Sequence, residues 1–302
     1  MLLELSIPIS ETLIIRRVEF DDGRRKSYIT DINCTTDLLK TIGERLVEFV
    51  DQNPIGRSSR SNPVTYCKAY DEIRALFSKQ KRATIQNLQP KHFSFNVDGG
   101  RCEVCKGEGT VTIEMQFMAD VILTCENCQG KRFKKEILEV KFHNTNIDDL
   151  LNSSVDDAIA FFEAHGEQKI INKLKPLHEV GLGYVTLGQS SATLSGGEAQ
   201  RIKLASFLGH GITKEKVLFI FDEPTTGLHV HDIKKLLTSF EALIDHGHSV
   251  VVVEHNLDLI KCADHLIDLG PEAGDKGGYL VGQGTPEEIA ALPNSHTGKF
   301  LN

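Results

Sequence analysis

Four cysteines fall into two Cys-x-x-Cys-x-Gly units, CEVCKGEG (102–109) and CENCQGKR (125–132), with nineteen residues between Cys105 and Cys125. Thiolates at that spacing are metal ligands. Each pair sits on one tight knuckle, relieved by Gly107 or Gly130, and two knuckles close a tetrahedral cage with bonds of about 2.3 Å. Cys102, Cys105, Cys125 and Cys128 are therefore expected to hold zinc. Four thiolates leave no open position for catalysis, so the expected role is structural. Two redox-active dithiols would explain each pair alone but not the duplication. The remaining cysteines, Cys34, Cys67 and Cys262, stand singly and read as small packing residues.

A second constellation suits nucleotide chemistry. VLFIFDEP (217–224) is an apolar strand running into two carboxylates. At a strand's C-terminal edge Asp222 could hold Mg²⁺ through water, and Glu223 could orient an attacking water. In LSGGEAQR (194–201), Ser195 is a helix cap and Glu198 its capping-box partner. Gly196 and Gly197 let backbone N–H groups approach a ligand, and a helix entrance favours phosphate. A plain capped helix explains the Ser195–Glu198 pair but not the glycines, nor Glu223 following 28 residues after Ser195. His255, just past the strand in VVVEHN, could contact a terminal phosphate. Gln52, in DQNPIGR, could sense metal or water.

These residues need a scaffold. Residues 2–20 alternate apolar and polar types as strands do, DDG signals a turn, and 36–51 reads as a short helix leading into the strand LVEFV. YDEIRALF is helical, TVTIEMQFMADVILT suggests two strands between the cysteine knuckles, and 147–175 reads as helices with Ser154 as a cap. From 177 the pattern becomes α/β. VLFIF and SVVVV read as buried strands, with HDIKKLLTSFEALIDHG, an amphipathic helix closed by Gly247, between them. HLIDLG reads as a third strand and GGYLVGQG as a hairpin. In TPEEIAAL, Thr285 is the N-cap, Pro286 the first helical residue and Glu288 completes a capping box. Continuous apolar strands alternating with helices imply a covered parallel sheet.

The 302 residues carry a net charge of −8, with 40% apolar and 25% charged residues, as expected of a soluble globular protein rather than a polycation that coats nucleic acid. A local basic surface remains open. Between residues 57 and 91, Arg57, Arg60, Lys68, Arg74, Lys79, Lys81, Arg82 and Lys91 face only Asp71 and Glu72. A solvated face accounts for the charge itself. The apolar runs are strand-sized and too short to cross a bilayer, and MLLELSIPIS lacks a basic n-region, so a cytoplasmic location is expected.

The strings DQNPIGRSSRSNPVTY, HFSFNVDGGRCEVCKGEG, CENCQGKR, VGLGYVTLGQSSATLSGGEAQR, FDEPTTGLH, VVVEHNLD and HLIDLGPEAGDKGG resemble the UvrA family, from about residue 50 onward. UvrA proteins are the damage-recognising ATPases of the UvrABC excinuclease. The resemblance implies an α/β fold of ABC type: a nucleotide-binding domain with a zinc-binding insertion and a helical signature subdomain. It implies a DNA-binding role in nucleotide excision repair. Ser195, Gly196, Gly197 and Glu198 would be a signature acting on nucleotide held by another domain. Gln52 would belong to the Q-loop, Asp222 and Glu223 to Walker B, Thr225 to His229 to the D-loop, and His255 to the switch. The zinc module would help to couple ATP state to DNA, with Arg57, Arg60, Lys79, Lys81, Arg82 and Lys91 as candidate phosphate contacts. DnaJ chaperones share the cysteine pattern, but have more repeats and a His-Pro-Asp motif absent here.

The front of the chain departs from the family. No G-x-x-x-x-G-K-[ST] string occurs. In FDDGRRKS, Lys26 and Ser27 stand at the lysine and hydroxyl positions of a P-loop, but Phe20 and Arg25 replace glycines. Asp21 and Asp22 add repulsion of about 4 kcal/mol each against phosphate at ~4 Å. A charged turn between strands is the expectation. Three parts follow: 1–53 as the strand-rich edge of the core, 54–190 as the insertion with its zinc module near 100–135, and 191–302 as core with signature, Walker B, D-loop and switch. The expected function is a UvrA-like ABC component that does not hydrolyse ATP alone. Its ATP and magnesium would be shared with another nucleotide-binding domain or a UvrA- or UvrB-like protein, in a possible dimer. The alternatives are a non-catalytic zinc-containing DNA-binding module and an assembly half of a split ABC machine.

Overall fold

The computed structural model describes residues 15–19, 25–29, 32–34, 46–56, 60–113, 115, 121–209, 216–270 and 278–301, with backbone alone before 46 and at 230–231. In chain order come β1 (Ile15–Glu19), β2 (Arg25–Ile29), β3 (Ile32–Cys34) and β4 (Val47–Val50), then α1 (Pro63–Tyr66), α2 (Ala69–Ser78) and α3 (Lys81–Ile85). The cysteine region adds β5 (Thr110–Ile113) and β6 (Val121–Thr124). After it follow α4 (Lys135–Leu138), α5 (Ile147–Leu151), α6 (Val155–Ala164), α7 (Gln168–Glu179) and α8 (Gly196–Gly209). The last part holds β7 (Leu218–Asp222), α9 (Val230–Asp245), β8 (Ser249–Val253), α10 (Leu257–Ile260), β9 (Leu266–Gly270), β10 (Tyr279–Gly284) and α11 (Pro286–Ala290).

The sheet that carries the carboxylates is parallel, in the order β4–β7–β8, with Val50, Phe221 and Val252 in register. Its inner face is aromatic. Phe219 stacks edge-on to Phe207 of α8 at 5.2 Å, and Phe221 meets Phe240 of α9 at 4.7 Å. One continuous core runs from Val50 and Phe221 through Ile202 and Leu174 to Phe162, Phe77 and Phe95. The opposite face differs from the expected covered sheet. Phe49, Val251 and Val253 are 54%, 47% and 51% exposed. A strand of period two buries alternate residues only, and SVVVV alternates in burial despite its uniform composition.

Two further expectations change. HLIDLG does not join the parallel sheet: β9 pairs antiparallel with β10 in a separate two-stranded sheet. YLVGQG is then one strand, not a hairpin, and the register shifts between Leu280 and Gly282. Glycine here marks a bulge instead of a turn. At the front, Lys26 and Ser27 lie inside β2, paired with Val18 and Arg17 of β1. A strand pairs its N–H groups with a neighbouring strand, so Lys26 and Ser27 stand in ladder positions rather than in the turn expected for FDDGRRKS. The expected helix before LVEFV and the turn at DDG fall outside the described residues.

The capping signals hold. Ser154 accepts the Asp157 amide, and Thr285 and Glu288 form the capping box of α11 with Pro286 in its first turn. Gly247, at φ 83°, closes α9. No helix among the described residues is long and apolar enough to cross a membrane.

Candidate nucleotide and metal sites

The four thiols converge. The sulfurs of Cys102, Cys105, Cys125 and Cys128 all lie within 4.8 Å of one another and are buried. Cys102–Cys125 and Cys105–Cys128 are 3.9 and 3.6 Å apart. A tetrahedron with 2.3 Å bonds has edges of about 3.8 Å, so the cage fits a zinc-sized thiophilic cation. The two knuckles repeat each other in backbone: Lys106 and Gln129 share φ 51°, followed by Gly107 at 87° and Gly130 at 83°. A Cβ on Gly107 would lie 2.1 Å from the Phe95 carbonyl oxygen, so the knuckle presses directly on the core.

Second partners favour thiolate. Asn127 Nδ2 donates to Cys102 Sγ at 3.2 Å and the Gly109 amide to Cys105 Sγ at 3.3 Å. Burial opposes ionisation of Cys102, but hydrogen bonds from Cys105, Asn127 and Val104 outweigh it and bring the thiol down to about 6. Burial, with the Cys105 and Cys125 sulfurs beside it, pushes Cys128 up to about 12. Crowded sulfurs that cannot all ionise alone are what a divalent cation relieves.

The second site forms where β4, β7 and β8 end. Gln52, which follows β4, donates Nε2 to the Asp222 and Glu223 carbonyls at 3.1 and 3.3 Å. His255 Nε2 lies 3.3 Å from Glu223 Oε1, and Glu223 itself takes φ 45°. The entrance of α8 sits against this edge. A Cβ on Gly196 would fall 2.7 Å from Gln52 Oε1, and one on Gly197 would fall 2.6 Å from the Thr226 carbonyl oxygen. Glycine is therefore required at 197, where backbone would have to shift, whereas at 196 the Gln52 side chain would have to give way. Gln52, Asp222, Glu223, His255 and the Ser195–Glu198 turn are all brought together; Lys26 and Ser27 belong to the separate sheet of β1, β2 and β3.

The capping box is formed. Ser195 donates its amide and hydroxyl to Glu198 Oε2 at 2.8 and 2.9 Å, and the Glu198 amide donates back to Ser195 Oγ at 3.3 Å. The Tyr184 hydroxyl donates to the other oxygen, Oε1, at 2.7 Å. Burial works against this carboxylate, but Tyr184, Ser195 and the nearby Arg201 outweigh it and hold its pKa below the ordinary range.

Sequence reasoning overlooked several supporting residues. Gln200, 1% exposed, donates Nε2 to the Val50 and Asp222 carbonyls at 2.6 and 3.2 Å, tying α8 to two strand ends. Lys203 donates to the Asp51 carbonyl at 3.1 Å and pairs with its carboxylate. Arg201 is buried under the signature turn. Glu254 accepts the amides of His255 and Asn256. Only the fixed offset of Gln200 and Arg201 from Ser195–Gly197 could have marked two of them; their partners are 150 and more residues away in some cases.

The basic candidates divide. Arg57 lies outside the described residues. Arg60 donates to the Lys106 carbonyl in the cysteine module at 3.4 Å and, with Ser61, Thr65 and Asn96, lines a cleft of about 330 Å³. Lys79, just after α2, Lys81 and Arg82 on α3 and Lys91 in the turn at Pro90–Phe93 are exposed, and Arg82 pairs with Glu139.

A glycine-rich helix entrance packed on the carboxylate end of a parallel sheet is the arrangement of an ABC-type nucleotide-binding domain, here with a four-cysteine module inserted. The chain is 55% identical over 252 residues to the UvrABC system protein A of Clostridium perfringens, covering 83% of this chain and 26% of that protein. It is 52% identical over 287 residues to the protein of that name from Clostridium acetobutylicum, covering 95% and 29%. The crystal structure of UvrA2 from Deinococcus radiodurans matches with a TM-score of 0.78 and 45% identity, over 85% of this chain and 31% of that one. No protein-family model matches. The chain belongs to the UvrA family, and it spans between a quarter and a third of the length of these relatives.

Proposed function

We propose that this chain is a signature-bearing, zinc-stabilised part of a UvrA-type ATPase of nucleotide excision repair, acting in the cytoplasm on DNA. The observation that carries the reading is the Ser195–Glu198 turn, seated beside Gln52 and Thr226 at the carboxylate edge of the sheet. Another nucleotide-binding domain, in a dimer or a UvrA- or UvrB-like partner, supplies the P-loop, and the nucleotide with its magnesium is shared between the two.

ATP, when bound, supplies the phosphate to be cleaved. This chain's residues prepare its surroundings. The amides of Gly196 and Gly197 are hydrogen-bond donors for phosphate oxygens, and the Ser195 hydroxyl becomes one by turning away from Glu198. Asp222 is the carboxylate for magnesium. Glu223, held against His255, accepts from and orients water, and Gln52 closes the edge between signature and carboxylates. Cys102, Cys105, Cys125 and Cys128 hold zinc and stiffen the module that Arg60 touches. Arg57, Arg60, Lys79, Lys81, Arg82 and Lys91 meet DNA phosphates, which sets position without reading sequence.

Nucleotide titration and ATPase assays test this, on the purified chain with and without a P-loop-bearing UvrA-type domain. Turnover is expected only with the partner. Robust turnover by the chain alone that vanishes in Glu223→Gln overturns the shared-site reading. A second reading, a non-catalytic DNA-binding module, draws on the Arg60 cleft beside the cysteine module. It requires DNA affinity that falls steeply with salt and ignores ATP plus partner.

A further inference from the structure

We propose that Glu254 is a positioning residue that joins the turn after β7 to the loop after β8, so that displacement of the signature glycines is transmitted to His255. The inference rests on the reading that the signature meets a nucleotide.

Every acceptor site of this carboxylate is used. Oε1 accepts the Thr225 amide at 2.9 Å and the Thr225 hydroxyl; Oε2 accepts the amides of His255 at 2.6 Å and Asn256 at 2.9 Å. An ionised carboxylate offers about four lone-pair sites and no donor, and charge-assisted bonds are about twice as strong as neutral ones. Glu254 is half-buried, so these bonds are less diluted by water. Two loops that share no strand pairing beyond β7–β8 are thereby fixed on one side chain.

The contacts continue in both directions. Toward the signature, the Thr226 carbonyl lies so close to Gly197 that a single methyl there would sit 2.6 Å away. The α8 entrance cannot move toward the β7 turn without pushing it. Toward the carboxylates, His255 Nε2 is 3.3 Å from Glu223 Oε1, and the Glu223 amide donates to the Val253 carbonyl at 2.9 Å. The sequence of contacts is Gly197, Thr226 with Thr225, Glu254, His255, Glu223. Glu254 is the link in it whose carboxylate alone carries four hydrogen bonds. Glutamine cannot replace it: its amide N–H₂ would face either the Thr225 donors or the two loop amides.

Backbone hydrogen exchange on the full 302-residue chain tests the link. Glu254→Gln should accelerate exchange at Thr225, His255 and Asn256 about tenfold. It should also raise exchange at Glu198 and Ala199, whose amides bond Ser195 and do not touch Glu254, while Leu174 in α7 keeps its protection. Acceleration confined to the three bonded residues means a local cap and overturns the proposal. If the variant loosens Leu174 as well, Thr225→Val, which removes one donor of the four, replaces it in the same comparison. With a P-loop-bearing partner that supports turnover, Glu254→Gln should lower kcat about tenfold at nearly unchanged KM, and Glu254→Asp should recover part of it. A KM effect without a kcat effect overturns the positioning role. If the unaltered chain shows no turnover with any such partner, the shared-site function fails, and the exchange pattern alone decides whether Glu254 couples the loops.

Discussion

The cysteine module and the nucleotide edge solve opposite problems. In the module, four ligands come from two short knuckles and a connecting hairpin, and the sulfurs form a cluster of their own, separate from the main core. At the nucleotide edge, Gln52 must meet backbone 170 residues away, and Gln200 must reach Val50 across 150. The module is a local device: short-range chain geometry alone gathers four buried thiols, and the proposed coordination would supply its free energy. The edge is a non-local device whose geometry comes from core packing between β4, β7 and α8. The comparison teaches that damage should stay inside the first and spread from the second.

The largest effect should separate them most clearly. Chelation of the metal, or Cys125→Ser, removes an interaction on the order of 10 kcal/mol in structural zinc sites. Metal content should fall from one ion per chain, and exchange protection across the module should vanish while α8 and β7 keep theirs. Collapse of both together would break the comparison.

Phe95 tests where the module meets the core. Its ring is fully buried, 5.1 Å from Tyr70 and 6.2 Å from Phe133, with the Arg132 guanidinium 5.6 Å from its centroid. Phe95→Ala should cost about 3–5 kcal/mol in denaturant unfolding with zinc retained.

Gly197→Ala comes next, at about 1–3 kcal/mol, because its methyl would meet backbone that can yield only by shifting the β7 turn. Calorimetry measures the loss, and the chemical shift of Thr226 should move with it.

Ser195→Ala is the smallest, about 1 kcal/mol for a lost cap. It also carries a pH signature. The folded Glu198 pKa lies below its ordinary 4.5, so its contribution to stability is complete above about 4.5 and disappears as pH falls through the lower folded value. In the Ser195→Ala variant that acid-side slope should flatten.

Legibility followed the same division. The convergence of the four cysteines could be read because their spacing is itself the geometry. So could the caps at Ser154, Ser195 and Thr285, each of which bonds an amide three residues on. The carboxylates and signature glycines were readable as types. Glu254, Tyr184 and Lys203 were not: a Glu one residue before a histidine has no pattern until the β7 turn arrives beside it. SVVVV and HLIDLG misled for a related reason. Apolar composition reports that a strand forms, but not which neighbour it pairs with or how much of each face is covered.

By itself the sequence determined the four-cysteine cluster, the helix ends and the residue types that suit phosphate chemistry, since these depend on backbone geometry over a few residues. Tertiary structure alone decided that Gln52 and Gly196 touch, that one face of the parallel sheet is exposed, that Lys26 lies in a strand, and that Glu254 bridges two loops. The contact at Gln52 depends on strands about 170 residues apart being placed side by side, and the Glu254 bridge on two loops 29 residues apart; no local spacing encodes either.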